Sequence, residues 1–163
     1  MIRMVLALSV VLLGFGCGGE SPTAPTPVAT AALTDEVRLA MQEAIADEYR
    51  AETIYQGVVN DFGGVLPFIN ILSAEQRHSA TIARLFTSPG LPVPANTWTV
   101  ATVPHYPSVP AACAAGVVAE RENIAIYDRY MGLALQQDVR QVFESNRAAS
   151  LNNHLPAFEQ CAR

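Results

Sequence analysis

Glu48, Glu75, His78, Glu120 and His154 are the residues of this chain whose types and spacing point to chemistry. Each falls at a core position of an otherwise apolar helical stripe. An ionised carboxylate buried without compensation is costly, or is forced to protonate. Three carboxylates and two imidazoles at one level of a helical core are most simply compensated by a divalent cation. Glu75 and His78, at i and i+3, point into the same space. Carboxylate plus imidazole suits iron, manganese or zinc, and thiolate-seeking metals much less.

The competing reading is a core whose buried polar groups satisfy one another without metal. Arg147 lies seven residues before His154 on the same stripe, where it would pair with Glu52 or Glu122 and replace part of a metal's charge. Ser150, four residues before His154, would hold a water near the ligands. Tyr49, Tyr55 and Tyr127 are near enough to line the site, either bonding ligands or filling the core. His105 has no partner in the sequence and reads as surface.

Four segments with 3–4 apolar spacing must position these groups. The first runs through Val37, Met41, Ala44, Glu48, Ala51, Tyr55 and Val58, with Thr34 as N-cap, Asp35 and Glu36 in the first turn, and Gly63-Gly64 at its end. The second carries Ile71, Glu75, His78, Ile82 and Leu85 and stops before Ser88-Pro-Gly90. The third, entered through Ser108-Val-Pro110, carries Cys113, Val117, Glu120, Ile124, Tyr127 and Met131. The fourth carries Phe143, Arg147, Ser150, His154, Ala157 and Cys161, and Pro156 should bend it just after His154. Strand signals are absent apart from an ambiguous stretch from Trp98 to Val103.

Short links, at Gly63-Gly64 and near Gln136-Gln137, imply two antiparallel hairpins. Between them lie roughly 20 Pro-rich residues, which at about 3.3 Å each can run the length of a bundle. This predicts an all-α four-helix bundle of ferritin-like type over residues 33–163. The hairpins also look like degenerate copies. Glu48 precedes Tyr55 by seven residues, as Glu120 precedes Tyr127. Cys113 lies seven before Glu120 and Cys161 seven after His154, so in antiparallel helices they should meet and form a disulfide.

Glu48 with Ala51 and Tyr55, followed by Glu75-Gln-Arg-His78, resembles the first half of the ferritin and rubrerythrin di-iron pattern. The stretch from Ala40 to Cys161, including Asn153-His154-Leu-Pro-Ala-Phe158, is similar to a bacterial ferritin-like family catalogued as domain of unknown function 2202. That resemblance implies the fold, a site for one or two iron ions, and an iron oxidoreductase of ferroxidase type or a non-catalytic bundle with a degenerate site. The full pattern takes Glu from two helices and Glu-x-x-His from the other two. Here Leu151 stands three residues before His154 where a bridging Glu is expected.

The remaining residues concern location and partners. Residues 1–16 combine Arg3 with an apolar run from Met4 to Phe15, too short to span a bilayer, and read as an export signal. Leu13-Gly-Phe-Gly16-Cys17 resembles a bacterial lipoprotein processing site, though Gly14 stands where Leu is usual. Cys17 would then carry a lipid anchor, and residues 17–32, rich in Pro and Thr, would form a tether at a periplasmic or cell surface. The net charge is −5, and all ten basic residues are Arg with no basic cluster, which argues against a nucleic-acid partner.

Overall fold

A computed structural model of the chain describes residues 33–163. The expected export signal, tether and lipidated Cys17 lie outside the described residues. Among the described residues every regular element is helical: α1 (Asp35–Phe62), α2 (Phe68–Thr87), α3 (Val109–Tyr130), α4 (Gln137–Ala149), a π-helical turn (Ser150–His154) and α5 (Leu155–Cys161). The last three are contiguous and form one fourth helix. No helix of the described residues is long and apolar enough to cross a membrane.

Local chemistry sets the boundaries. Thr34 Oγ1 accepts a hydrogen bond from the Val37 amide at 3.2 Å and starts α1, with Asp35 and Glu36 facing the helix dipole. Ser108 Oγ does the same for Ala111 at the head of α3. Trp98 to Val103 forms a turn rather than a strand, closed by the Thr102 hydroxyl on the Thr99 carbonyl. Pro156 lies inside the continuous fourth helix, just after the π-helical turn, where it can donate no backbone hydrogen bond.

Two apolar clusters define the helix directions. One joins the start of α1 (Val37 to Ile45), the end of α2 (Ile82, Leu85, Phe86), the end of α3 (Tyr127, Tyr130) and the start of α4 (Val139, Phe143). The other joins the end of α1 (Ala51, Tyr55, Val58), the start of α2 (Phe68, Ile71, Leu72), the start of α3 (Ala112, Cys113) and Phe158 of α5. So α2 runs antiparallel to α1, the fourth helix runs antiparallel to α3, and α2 and α3 are parallel. The 88–108 connection must therefore travel the length of the bundle. Leu91 and Val93 pack on the first cluster, Tyr106 and Val109 on the second.

The connection is pinned on the way. Val103 is buried against Gly57 of α1, where a Cβ would meet its Cγ2 at 2.9 Å. His105, expected to be a partnerless surface residue, is exposed but bonds Asp61 of α1 through Nδ1 at 2.7 Å. Cys113 and Cys161 form a disulfide, as their offsets predict, with Cα atoms 5.7 Å apart. Beside it Gly116 admits the Phe158 ring; a Cβ there would stand 2.8 Å from the ring carbons.

Candidate metal centre

Between the two apolar clusters the core turns polar. Glu48, Glu75, Glu120 and His154 are buried, and the His78 side chain is 12% exposed. All five residues singled out in the sequence meet here, one or more from each of the four helices. They form two groups of three donors, Glu48–Glu75–His78 and Glu75–Glu120–His154, with the ligand atoms of each group within 4.8 Å of one another. Glu75 belongs to both and divides its oxygens between them. Its Oε2 is 2.9 Å from His78 Nδ1. Its Oε1 is 3.0 Å from His154 Nδ1. The two imidazoles stack 5.4 Å apart.

The outer carboxylates are held by tyrosines across the bundle. Tyr127 on α3 donates to Glu48 Oε1 on α1, and Tyr55 on α1 donates to Glu120 Oε1 on α3 at 2.7 Å. The repeat of Glu followed by Tyr seven residues later therefore has a use: each copy's tyrosine holds the other copy's glutamate. Both tyrosines sit in aromatic packing, Tyr127 against Phe143 and Tyr55 against Phe68 and Phe158. Tyr49 is half-buried and packs on the first apolar cluster, away from the ligands.

With one oxygen of each outer glutamate held, the other is left over. Glu48 Oε2 and Glu120 Oε2 are enclosed and accept no hydrogen bond, and His154 Nδ1 has no hydrogen-bond partner. Yet His78 Nδ1 lies 3.4 Å from Glu48 Oε2, and His154 Nδ1 lies 3.4 Å from Glu120 Oε2. Such atoms are close without pointing at one another. For metal–ligand bonds of about 2.1 Å, neighbouring ligand atoms stand about 3.0 Å apart in an octahedron and about 3.4 Å apart in a tetrahedron. The observed spacings fit those edges, and the hard and borderline donors fit iron, manganese or zinc.

Charge in the site is strongly shared. Burial and the neighbouring Glu75 push the Glu48 carboxyl up to about 7. Burial also pushes Glu75 up, but the close approach of His154, His78 and Glu48 outweighs it and holds Glu75 below the usual range. Burial would lower the imidazoles, yet Glu48 and Glu75 lift His78 to about 10, and Glu120 and Glu75 lift His154 to about 9. The phenols of Tyr55 and Tyr127 are pushed well up by burial and by their glutamates, so they remain donors.

The fourth helix departs from expectation at its π turn. The Leu155 amide bonds the Ser150 carbonyl, an i→i−5 step that inserts one residue into the helical repeat. Pro156 explains its place, because in a plain α-helix the proline ring would press on the Asn152 carbonyl. With the extra residue, the inward stripe runs His154, Ser150, Asn146 and Phe143. Asn146, not Arg147, faces the core, and its Nδ2 donates to the Tyr127 hydroxyl at 3.2 Å. Arg147 instead pairs with Asp128, half-exposed on the surface, and touches neither Glu52 nor Glu122. Leu151 is 37% exposed and does not stand in a ligand's place; Ser150, fully buried, faces inward.

Ser150 holds protein rather than needing water. Its hydroxyl donates to Asn123 Oδ1 at 2.9 Å, and Asn123 Nδ2 donates to Glu48 Oε1 at 3.2 Å and Asp47 Oδ2 at 3.0 Å. Arg50 then grips Asp47 Oδ1 at 2.6 Å and reaches Glu122 at 3.3 Å. Asp47, Asn123 and Asn146 were not foreseen. Asn123 had a signal, since it follows Glu120 by three residues and so shares its face, where the first copy has Ala51.

No protein-family model matches the chain, and no curated protein matches it significantly. It is similar to a solved structure, the hypothetical protein MJ0754 from Methanococcus jannaschii DSM 2661, with a TM-score of 0.70 over 88% of this chain and 85% of that one. At 20% identity the likeness speaks for the helical fold alone.

Proposed function

We propose that the chain is a ferritin-like metal-binding protein that holds two divalent ions, iron in the first place, on either side of Glu75. One observation carries the reading: Glu48 Oε2, Glu120 Oε2 and His154 Nδ1 are buried, close to other donors, and bonded to none of them. Buried polar atoms are rarely left so without a reason. Two antiparallel hairpins joined by a full-length crossover support the ferritin-like arrangement. The disulfide supports an oxidising, exported setting, with Cys17 as the lipid attachment to a membrane.

Glu48, Glu75 and His78 would hold one ion, and Glu75, Glu120 and His154 the other. Bound iron would supply oxidation chemistry with oxygen or peroxide, of the kind an oxidoreductase of ferroxidase type uses. The chain's own part is orientation. Tyr127 and Asn123 fix one oxygen of Glu48 and Tyr55 fixes one of Glu120, so the free oxygens face the imidazoles. The aromatic contacts above and below flank the buried carboxylates.

A second reading has its own observation. With His78 and His154 both lifted well above their ordinary value and Glu48 raised to about 7, two imidazolium ions and a protonated Glu48 would balance the other two carboxylates without metal, as in a non-catalytic bundle. Elemental analysis of the purified protein, with a titration of the chelator-treated protein by Fe2+ under argon, separates the two. Two ions per chain are expected. No uptake of Fe2+, Mn2+ or Zn2+ would establish the metal-free polar core instead.

A further inference from the structure

The centre is closed on three sides. Tyr127 and Phe143 cap it toward one end, and Tyr55, Phe68 and Phe158 toward the other. On the side of α3 and the fourth helix, the Asp47–Asn123–Ser150 hydrogen bonds fill the space. His78 on α2 is the most exposed of the five ligand residues, and its Nδ1 faces Glu48 of α1 at 3.4 Å.

On α1 and α2, and under the crossover, lies a groove of about 240 Å3, lined by Glu52, Thr53, Gln56, Leu72, Gln76, Trp98 and Val100. Glu52 is its only charged lining residue. It follows Glu48 by four residues, so it lies one turn, about 6 Å, farther along α1 on the same face. His78 and Ser79 on α2, and Glu48 itself, are close enough to act on its charge. Glu52 Oε1 is enclosed and accepts no hydrogen bond, although the residue lines an open groove. This unpaired oxygen, on a residue one turn along α1 from the equally unpaired Oε2 of Glu48, is one that a cation would satisfy and that packing does not use.

We propose that Glu52 is the port of the metal centre: a divalent cation enters beside Trp98, is caught by the Glu52 carboxylate, and passes one turn along α1 to Glu48 and His78. This rests on the metal-binding reading above. Glu52 is a transit group and not one of the resting ligands, so its loss should change the rate of loading and not the amount loaded. Focusing of a cation by a carboxylate in a groove raises entry rates by about tenfold or more.

The test mixes chelator-treated full-length protein with Co2+ alone at low ionic strength. The growth of cobalt absorption bands gives the rate, and elemental analysis after desalting gives the final content. Glu52→Gln should slow loading about tenfold and reach the wild-type content. Glu144→Gln, which removes the same charge from the exposed face of α4, should load at the wild-type rate. Equal rates for wild type and E52Q would overturn the port, as would equal slowing in E144Q. A fall in the final content of E52Q would also overturn it, by making Glu52 a ligand. If the wild type takes up no cobalt, the metal-binding reading fails first and the port with it.

Discussion

The first hairpin is built from two uninterrupted α-helices and brings Glu48, Glu75 and His78 to the centre; the second brings Glu120 from α3 but only His154 from the π turn of the fourth helix. The two are otherwise alike around the site. Glu48 matches Glu120, Tyr55 matches Tyr127, and each tyrosine bonds the other hairpin's glutamate. They part at two places. Where the first hairpin has Ala51 the second has Asn123, and where the first has Glu75 the second has Ser150. Those two replacements bond each other. The second hairpin has thus exchanged a bridging carboxylate for a neutral hydrogen bond. Its consequence is that all bridging between the two donor groups falls to Glu75.

That inequality yields the largest expected effect. Glu75→Gln should abolish binding at both positions, lowering affinity by more than the about 10–100-fold typical of losing an outer-shell partner. His78→Ala and His154→Ala should each cost one ion and leave the other. Calorimetric titration of the chelator-treated variants with Zn2+ reads both numbers. If E75Q still binds one ion tightly, Glu75 is not shared and the two donor groups are independent.

A second expected effect concerns the balance of charge. Three groups have folded values raised above their ordinary ones: Glu48 to about 7, His78 to about 10 and His154 to about 9. The folded state therefore holds more protons than the unfolded state, and stability without metal must fall as pH rises. The part due to Glu48 is present below the ordinary carboxyl range and is lost as pH rises through about 7. The part due to the imidazoles is complete below their ordinary value and is lost through about 9 and 10. A metal ion replaces those protons, so its stabilisation should grow over the same interval. Melting temperatures with chelator and with excess Zn2+, followed from pH 5 to 9, should diverge as pH rises. Parallel curves would mean that the metal does not displace these protons.

The same contrast marks what was legible in the sequence. Along α1, α2 and α3 an unbroken 3.6-residue period let the core stripe be read directly, and Glu48, Glu75, His78 and Glu120 fall where the stripe places them. The caps Thr34 and Ser108, the link at Gly63 and the pairing of Cys113 with Cys161 follow from equally local chemistry. In the fourth helix the period is counted backward from His154 through a π turn, which local spacing does not announce. Phe143 and Ser150 face inward as the period places them, but between them the inward position is Asn146 and not Arg147. Pro156 was the available clue, but it signals a disturbance of the helix without saying on which side the extra residue is absorbed. Asp47 was hidden for another reason: it lies beside the stripe and is buried because Arg50 and Asn123 satisfy it there.

The smallest expected effect is the one that decides the register. Counted as a plain α-helix, the missing bridging carboxylate belongs at Leu151; counted through the π turn, it belongs at Ser150. Leu151 is 37% exposed, so Leu151→Glu adds a solvated charge and should change metal affinity and melting by little, within about 0.5 kcal/mol. Ser150 is fully buried and bonded to Asn123, so Ser150→Asp adds a fourth carboxylate beside those of Glu48, Glu75 and Glu120. Without metal that charge is uncompensated and melting should fall. With metal it supplies the carboxylate that the second hairpin lacks, and the second ion should bind more tightly. Chelator competition and melting of the two variants, side by side, measure both. Gain of affinity in L151E and none in S150D would restore the plain helix and remove Ser150 from the site.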